Sequence, residues 1–356
     1  MMHLRARECR SHAVLFLVCL LAVLRVCRAT AAATPPPPRE PPQDMADLFT
    51  LGGSVPLEYM YVDDTNEGSG THYAYPASTV DSYVQSVQQQ VNYFRLKSKS
   101  VDADADADAG AGAGAGAGAD SDSDADAAQA PMPATPPPNK KYWPMYALSR
   151  YADSHIENKD VAIFGSIDPY IEAIVFALGA RKVVTFEYNE LTIVRPGVWE
   201  GVTSKAYKRL LDVFHHKKDD DRVCPPDKDT DADDADASSA STHEYASKFD
   251  TVVSFSSFDH SGLGRYGDPL NPQGDLEAMK FAKSVLKKGG EGVFLLTVPV
   301  GPDVVVFNLH RRYGETRLPM LLDGFSRKEV LFWDDELLTK EANWRQTYEP
   351  VFVLTA

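Results

Sequence analysis

Beyond residue 141, short apolar runs alternate with stretches in which apolar residues recur every three or four positions. This is the pattern of parallel βαβ units. Residues 161–164 form an apolar run that ends at Gly165 and predicts a strand. Residues 170–178 carry Ile171, Ile174, Val175 and Leu178 at helical spacing and are closed by Gly179, a helix stop. Strands follow at 182–187 and, across a polar insert, at 251–255. Residues 275–286 predict a helix with Leu276, Met279, Ala282 and Leu286 inward, Lys287 and Lys288 at its negative end and Gly289-Gly290 beyond. A strand at 292–298 stops at Pro299, and 330–333 with 350–354 predict a closing antiparallel pair. The expected fold class is α/β, one Rossmann-like sheet flanked by helices, over 141–356.

Upstream the pattern changes. Val80, Tyr83, Val84, Val87, Val91 and Phe94 mark one amphipathic helix within a 56–100 extension, its apolar stripe expected to dock on the main domain. A Pro-rich linker is expected at 32–55 and a solvated spacer at 101–140, where Asp-Ala and Gly-Ala repeats carry too few apolar side chains to offset chain entropy. A second acidic insert occupies 217–241. Residues 102–127 and 217–236 together account for thirteen of the fifteen net negative charges, so the remaining chain is nearly neutral. Non-specific nucleic-acid binding is therefore disfavoured. At the amino terminus, Arg5, Arg7 and Arg10 precede twelve apolar residues, 13–24, and the small-residue site Ala29-Thr30-Ala31. That order predicts a signal peptide over 1–31 and a secretory, luminal or secreted protein, with a single-pass signal anchor as the alternative. Cys224 is the one cysteine beyond this leader, so no intramolecular disulfide can form in the processed chain.

Ligands of such sheets bind beyond the carboxyl ends of the strands, where strand order reverses. The first loop there begins Gly165-Ser166, and Glu187 ends the next strand 22 residues after Gly165, an interval suited to a carboxylate gripping ribose hydroxyls. The competing reading is a tight turn with a solvated strand-end Glu. The second loop, 258–269, gathers Asp259, His260, Arg265, Tyr266 and Asp268 between glycines. Asp259 and His260 can act as an acid/base pair, because a carboxylate fixes an imidazole tautomer; an Asx-type turn is the alternative. The third loop leads to Asn308, His310, Arg311, Arg312 and Arg317. With Arg265, these guanidinium groups are expected to line one rim suited to a phosphate or carboxylate, surface salt bridging being the alternative. Arg265, Tyr266, Asp268, Asn308, His310 and Arg311 are the expected substrate ligands. No zinc-type Cys/His spacing, nucleophile elbow or Walker loop occurs.

The run 254–272, with Gly274-Asp275-Leu276, Val298-Pro299-Val300-Gly301, Phe307-Asn308 and His310-Arg311-Arg312-Tyr313-Gly314, resembles the family called domain of unknown function 268 over about 161–354. More remotely, Phe249-Asp250 and the Leu286-Lys287-Lys288-Gly289-Gly290 turn are similar to class I adenosylmethionine-dependent methyltransferases. The second resemblance implies a methyltransferase-type sheet and an S-adenosylmethionine site using Gly165, Ser166 and Glu187. It also implies a small or glycan-type polar substrate held by the post-strand loops, with His260 as base. Two alternatives stay open: a non-catalytic module binding an anionic sugar or nucleotide, and a glycan-assembly enzyme using a sugar nucleotide.

Overall fold

The computed structural model describes residues 36–65, 72–110, 139–166, 168–193, 198–202, 245–340, 343–345 and 347–356. Seven strands form the main sheet: β3 (Asp160–Phe164), β4 (Lys182–Phe186), β6 (Trp199–Val202), β7 (Thr251–Phe255), β8 (Val293–Thr297), β11 (Ser326–Leu331) and β12 (Val351–Thr355). Their order is β11-β12-β8-β7-β3-β4-β6, and every neighbouring pair is parallel except the two made by β12. Strand order reverses between β3 and β7, which places the crevice beyond their carboxyl ends. This is a Rossmann-like, methyltransferase-type α/β sheet, with the expected antiparallel closing pair.

Alternation along each strand divides the core into two layers. Val161 and Ile163 of β3 face the layer built by α2 (Ala77–Gly110), α3 (Trp143–Arg150) and α4 (Tyr170–Ala177), whereas Ala162 and Phe164 face α5 (Gly274–Val285) and α6 (Arg317–Leu321). The amphipathic stripe docks as expected: Val80, Val87, Val91 and Phe94 of α2 are buried in the first layer. Helix α3 escaped the periodicity argument because Met145, Tyr146, Ala147, Leu148 and Ser149 are all buried in succession, leaving no polar face to set a period.

Two expectations about the amino-terminal region change. The segment expected as a linker contains α1 (Gln43–Phe49), whose Phe49 packs edge-on to Phe307 at 5.4 Å between ring centroids. Val55, Leu263 and Val305 complete this small core, so the segment is anchored by apolar burial despite its prolines. β1 (Leu57–Tyr59) then adds in parallel to β9 (Val304–Phe307), itself paired with β10 (His310–Arg312), and β2 (His72–Tyr75) pairs in parallel with β5 (Glu190–Ile193). The spacer expected from residue 101 starts inside α2, which runs to Gly110; residues 111–138, the second acidic insert and residues 1–35 lie outside the described residues. Among the described residues no helix is long and apolar enough to cross a membrane.

Candidate functional site

The first turn after β3 needs a glycine. Gly165 has φ +69°, and a Cβ there would lie 1.8 Å from the Ser257 hydroxyl oxygen, because the loop after β7 packs directly against it. Gly165 thus allows the two loops to pack together. Beyond it, Ser166 donates its N–H to Glu187 at 2.9 Å and Asn189 donates its N–H to the other carboxylate oxygen at 3.2 Å. Glu187 is buried, and burial holds its carboxyl above the ordinary range. It is aimed back over the first turn, which excludes the reading as a solvated strand end. Gly165, Ser166 and Glu187 are therefore brought together as expected.

Glu172, in the first turn of α4, lies beneath this turn, fully buried, with its pKa pushed up to about 7 by desolvation. Its partners show how a neutral carboxyl fits. Trp199 donates its indole N–H to the Thr185 hydroxyl, and Thr185 donates to one Glu172 oxygen, each at 2.9 Å. The Ser166 hydroxyl lies 2.7 Å from the Asp168 carbonyl and 2.9 Å from the other Glu172 oxygen. One hydroxyl has one proton; with that proton on the carbonyl, the second contact is satisfied when Glu172 itself donates. Asp168 accepts the Tyr170 N–H at 2.9 Å, so acidic groups occupy the start of α4.

Across the switch point, β7 leads through Ser256 into the single turn Phe258–His260. His260 Nδ1 is 2.5 Å from the Leu309 carbonyl oxygen, which can only accept. The proton is therefore on Nδ1, and Nε2 lies 3.5 Å from an Asp259 carboxylate oxygen. The pair does meet, as expected, but the tautomer is fixed by Leu309 and not by Asp259. Asp259 is buried and neither of its oxygens is hydrogen-bonded. The His310 ring stands 6.4 Å from that of His260, and burial lowers its pKa. Glu349, just before β12, faces the same cluster; burial and then the Asp259 charge raise its pKa to about 7. Neither Glu172 nor Glu349 was among the residues expected at the site.

Tyr266 joins the two halves. Its ring packs edge-on to His260 at 5.9 Å, its phenol is pushed up to about 12 chiefly by burial, and both Asp259 and Glu187 act on it electrostatically. Tyr188, next to Glu187, donates its hydroxyl to the Gly267 carbonyl at 2.7 Å, which fastens the second loop across the end of β4.

The guanidinium rim does not form. Arg311 is fully buried, donates to the Ser261 carbonyl at 2.6 Å and lies 3.7 Å from Asp275; Arg317 holds the same carboxylate at 2.8 Å. Arg312 donates to the Pro302 carbonyl at 2.7 Å, and Arg265 pairs with Asp64 at 2.6 Å. The desolvation cost of a buried guanidinium demands such partners, which is why these cations turned inward. Asp268 accepts backbone N–H groups of Gly262, Gly264 and Tyr266, and so shapes the loop. Asn308, also fully buried, accepts the Val62 N–H at 2.6 Å and ties down the amino-terminal extension. Arg311, Asp268 and Asn308 are thus structural in position, whereas Tyr266 and His310 remain beside His260. Among the described residues no cluster of metal-ligating side chains occurs.

The family model described as "Caenorhabditis protein of unknown function, DUF268" matches residues 228–339, a narrower stretch than the expected 161–354. No curated protein matches the chain by sequence. Similar solved structures include an S-adenosylmethionine dependent methyltransferase from Mesorhizobium loti at 9% identity, covering 59% of this chain and 97% of that one, with a TM-score of 0.33. The structure of SMU.776, described as "a putative methyltransferase complexed with SAH", is 9% identical over 60% of this chain and 50% of that one, TM-score 0.33. The PH0226 protein from Pyrococcus horikoshii OT3 is 10% identical over 59% and 91%, TM-score 0.31. The assignment of fold class rests on the strand order itself.

Proposed function

We propose that this protein is an S-adenosylmethionine-dependent methyltransferase acting on a small, polar, glycan-type substrate. The observation that carries the reading is the chemistry of the first turn. A dinucleotide or sugar nucleotide needs free backbone N–H groups and a positive helix end for its phosphates. Here Asp168 takes the Tyr170 N–H and the Glu172 carboxyl sits beneath the turn, while Glu187 keeps lone pairs in reserve over it. That donor set suits a ribose without phosphates. The non-catalytic anion-binding alternative rested on a guanidinium rim and a glycine-poor first loop, and the inward pairing of Arg311, Arg312 and Arg317 weighs against its first support.

When bound, the cofactor supplies an electrophilic methyl group on a sulfonium. Glu187 would accept hydrogen bonds from the ribose hydroxyls, and the Tyr266 phenol, beside His260, would lie on the acceptor side. His260 Nε2 takes the proton of the acceptor hydroxyl, Leu309 holds the opposite nitrogen protonated, and the Asp259 carboxylate stabilises the imidazolium that results. Calorimetric titration with S-adenosylmethionine, NAD and a sugar nucleotide tests this. Only the first is expected to bind, and Glu187→Gln is expected to weaken it by about 1.5–3 kcal/mol. His260→Ala should retain cofactor affinity and lose turnover. Equal binding by wild type and Glu187→Gln, or preference for a phosphorylated ligand, removes the assignment. The expected leader lies outside the described residues; secretory placement belongs to the same proposal and is checked by amino-terminal sequencing, with processing near Ala32 expected.

A further inference from the structure

A cavity of about 280 Å³ opens where β1 and β9 meet the turn at 343–345. Trp344, Pro302 and Val304 give it an apolar wall, and Arg312, Asn343 and Glu58 give it polar edges. Its charge does not suit an anion. The Arg312 guanidinium is already engaged with the Pro302 carbonyl, and Asp303, also lining the cavity, keeps its carboxylate on the backbone N–H groups of Gly314, Thr316 and Arg317. Glu58, on an exposed strand position, adds a second carboxylate. A flat indole wall with planar hydrogen-bonding edges of both polarities suits a neutral ligand that has one C–H face and a rim of hydroxyls, which describes a pyranose ring.

One cavity wall leads inward toward the base. The Trp344 and His310 rings are 6.4 Å apart, and His310 and His260 are 6.4 Å apart, so three rings run from the cavity to the imidazole that would take the acceptor proton. His310 is more than nine-tenths buried, and its Nε2 has no hydrogen-bond partner within the protein.

From this we infer that the cavity is a subsite for one neutral pyranose residue of a glycan, with Trp344 stacking on its C–H face and Asn343 and Glu58 addressing its hydroxyls. Its role as the acceptor subsite rests on the proposed methyl transfer; its capacity to bind sugar does not.

Saturation-transfer NMR on the full-length protein separates the two. The probes are methyl β-glucoside, methyl β-galactoside and methyl N-acetyl-β-glucosaminide, with glucuronate and glucose 6-phosphate as charged comparators. At least one neutral glycoside is expected to show saturation concentrated on the C–H protons of one ring face. Trp344→Ala should bind it about tenfold more weakly or worse, while Trp344→Phe, which keeps a flat apolar face, should retain most of the binding. Glu58→Lys, at an exposed position, crowds the cavity mouth without touching the core and should also abolish binding. Glu187→Gln should leave sugar binding intact. Absence of binding by every neutral glycoside, preference for the charged comparators, or full binding by both Trp344→Ala and Glu58→Lys overturns the subsite. Trp344-dependent sugar binding in a protein that fails to bind S-adenosylmethionine keeps the subsite and removes the methyl-transfer reading.

Discussion

Asp275 and Asp259 are buried to within one per cent of each other near the same edge of the sheet, yet they are opposites chemically. Asp275 accepts from Arg317 at 2.8 Å and from the Tyr313 hydroxyl at 2.9 Å, with Arg311 at 3.7 Å. Burial alone would raise its pKa, but the two guanidinium groups outweigh that and hold it below the ordinary carboxylate value. Asp259 has only the neighbouring imidazole, at 3.5 Å, and no hydrogen bond. A carboxylate gripped by two guanidinium groups and a phenol is a latch between segments. One left without them carries a standing desolvation cost that structure alone does not require. The contrast is between a carboxylate tied to two guanidinium groups and one that meets only the His260 imidazole.

The largest effect should come from breaking the latch. Asp275→Asn leaves Arg311 and Arg317 buried without a counter-charge and is expected to cost about 3–5 kcal/mol, read from chemical denaturation. A loss below 1 kcal/mol would mean that the latch is ornamental and that the contrast fails.

A somewhat smaller effect is expected from pH. Glu172 holds its proton up to about 7 in the folded protein, against an ordinary value of 4.5. Between those values the folded chain binds more protons than the unfolded one, so stability should fall as pH rises from 4.5 to 7 and level off above, by on the order of 3 kcal/mol. Asp275 has the opposite sign: its contribution is present above the ordinary aspartate value and is lost in acid as pH falls through its depressed pKa. Glu172→Gln keeps a donor and an acceptor for Ser166 and Thr185 and should flatten the neutral-side slope, as followed by melting temperature across pH. An unchanged slope in that variant would assign it to another group, with Glu349 the first to examine.

The smallest effect on stability should be at Asp259. Asp259→Asn removes a charge that nothing hydrogen-bonds, and is expected to shift stability by less than about 1 kcal/mol in either direction. Turnover, once a substrate is in hand, should drop sharply while cofactor affinity holds, because the lost charge would have stabilised imidazolium. Destabilisation comparable to Asp275→Asn would make Asp259 a second latch.

Much of the frame was legible in the residues. Strands at 161–164, 182–187, 251–255 and 292–298 and the helices after them announce themselves through local periodicity, which needs no knowledge of neighbours. Glu187 could be found because its place depends on one βαβ unit. Its neighbour Glu172 was equally visible as a residue, but its burial depends on Thr185 and Trp199 arriving from two other strands.

What the sequence by itself determined is this local order: which segments are strand or helix, where they stop, and which loops meet at the carboxyl edge. Tertiary structure decided the partners. Arg311 reads as an anion ligand until Asp275 is found beside it, and the His260 tautomer is set by a carbonyl 49 residues further on. Trp344 is brought to His310 only by the return of the chain before its last strand. A buried polar group is defined by whatever satisfies it, and those groups come from distant segments, so local pattern carries no trace of the choice.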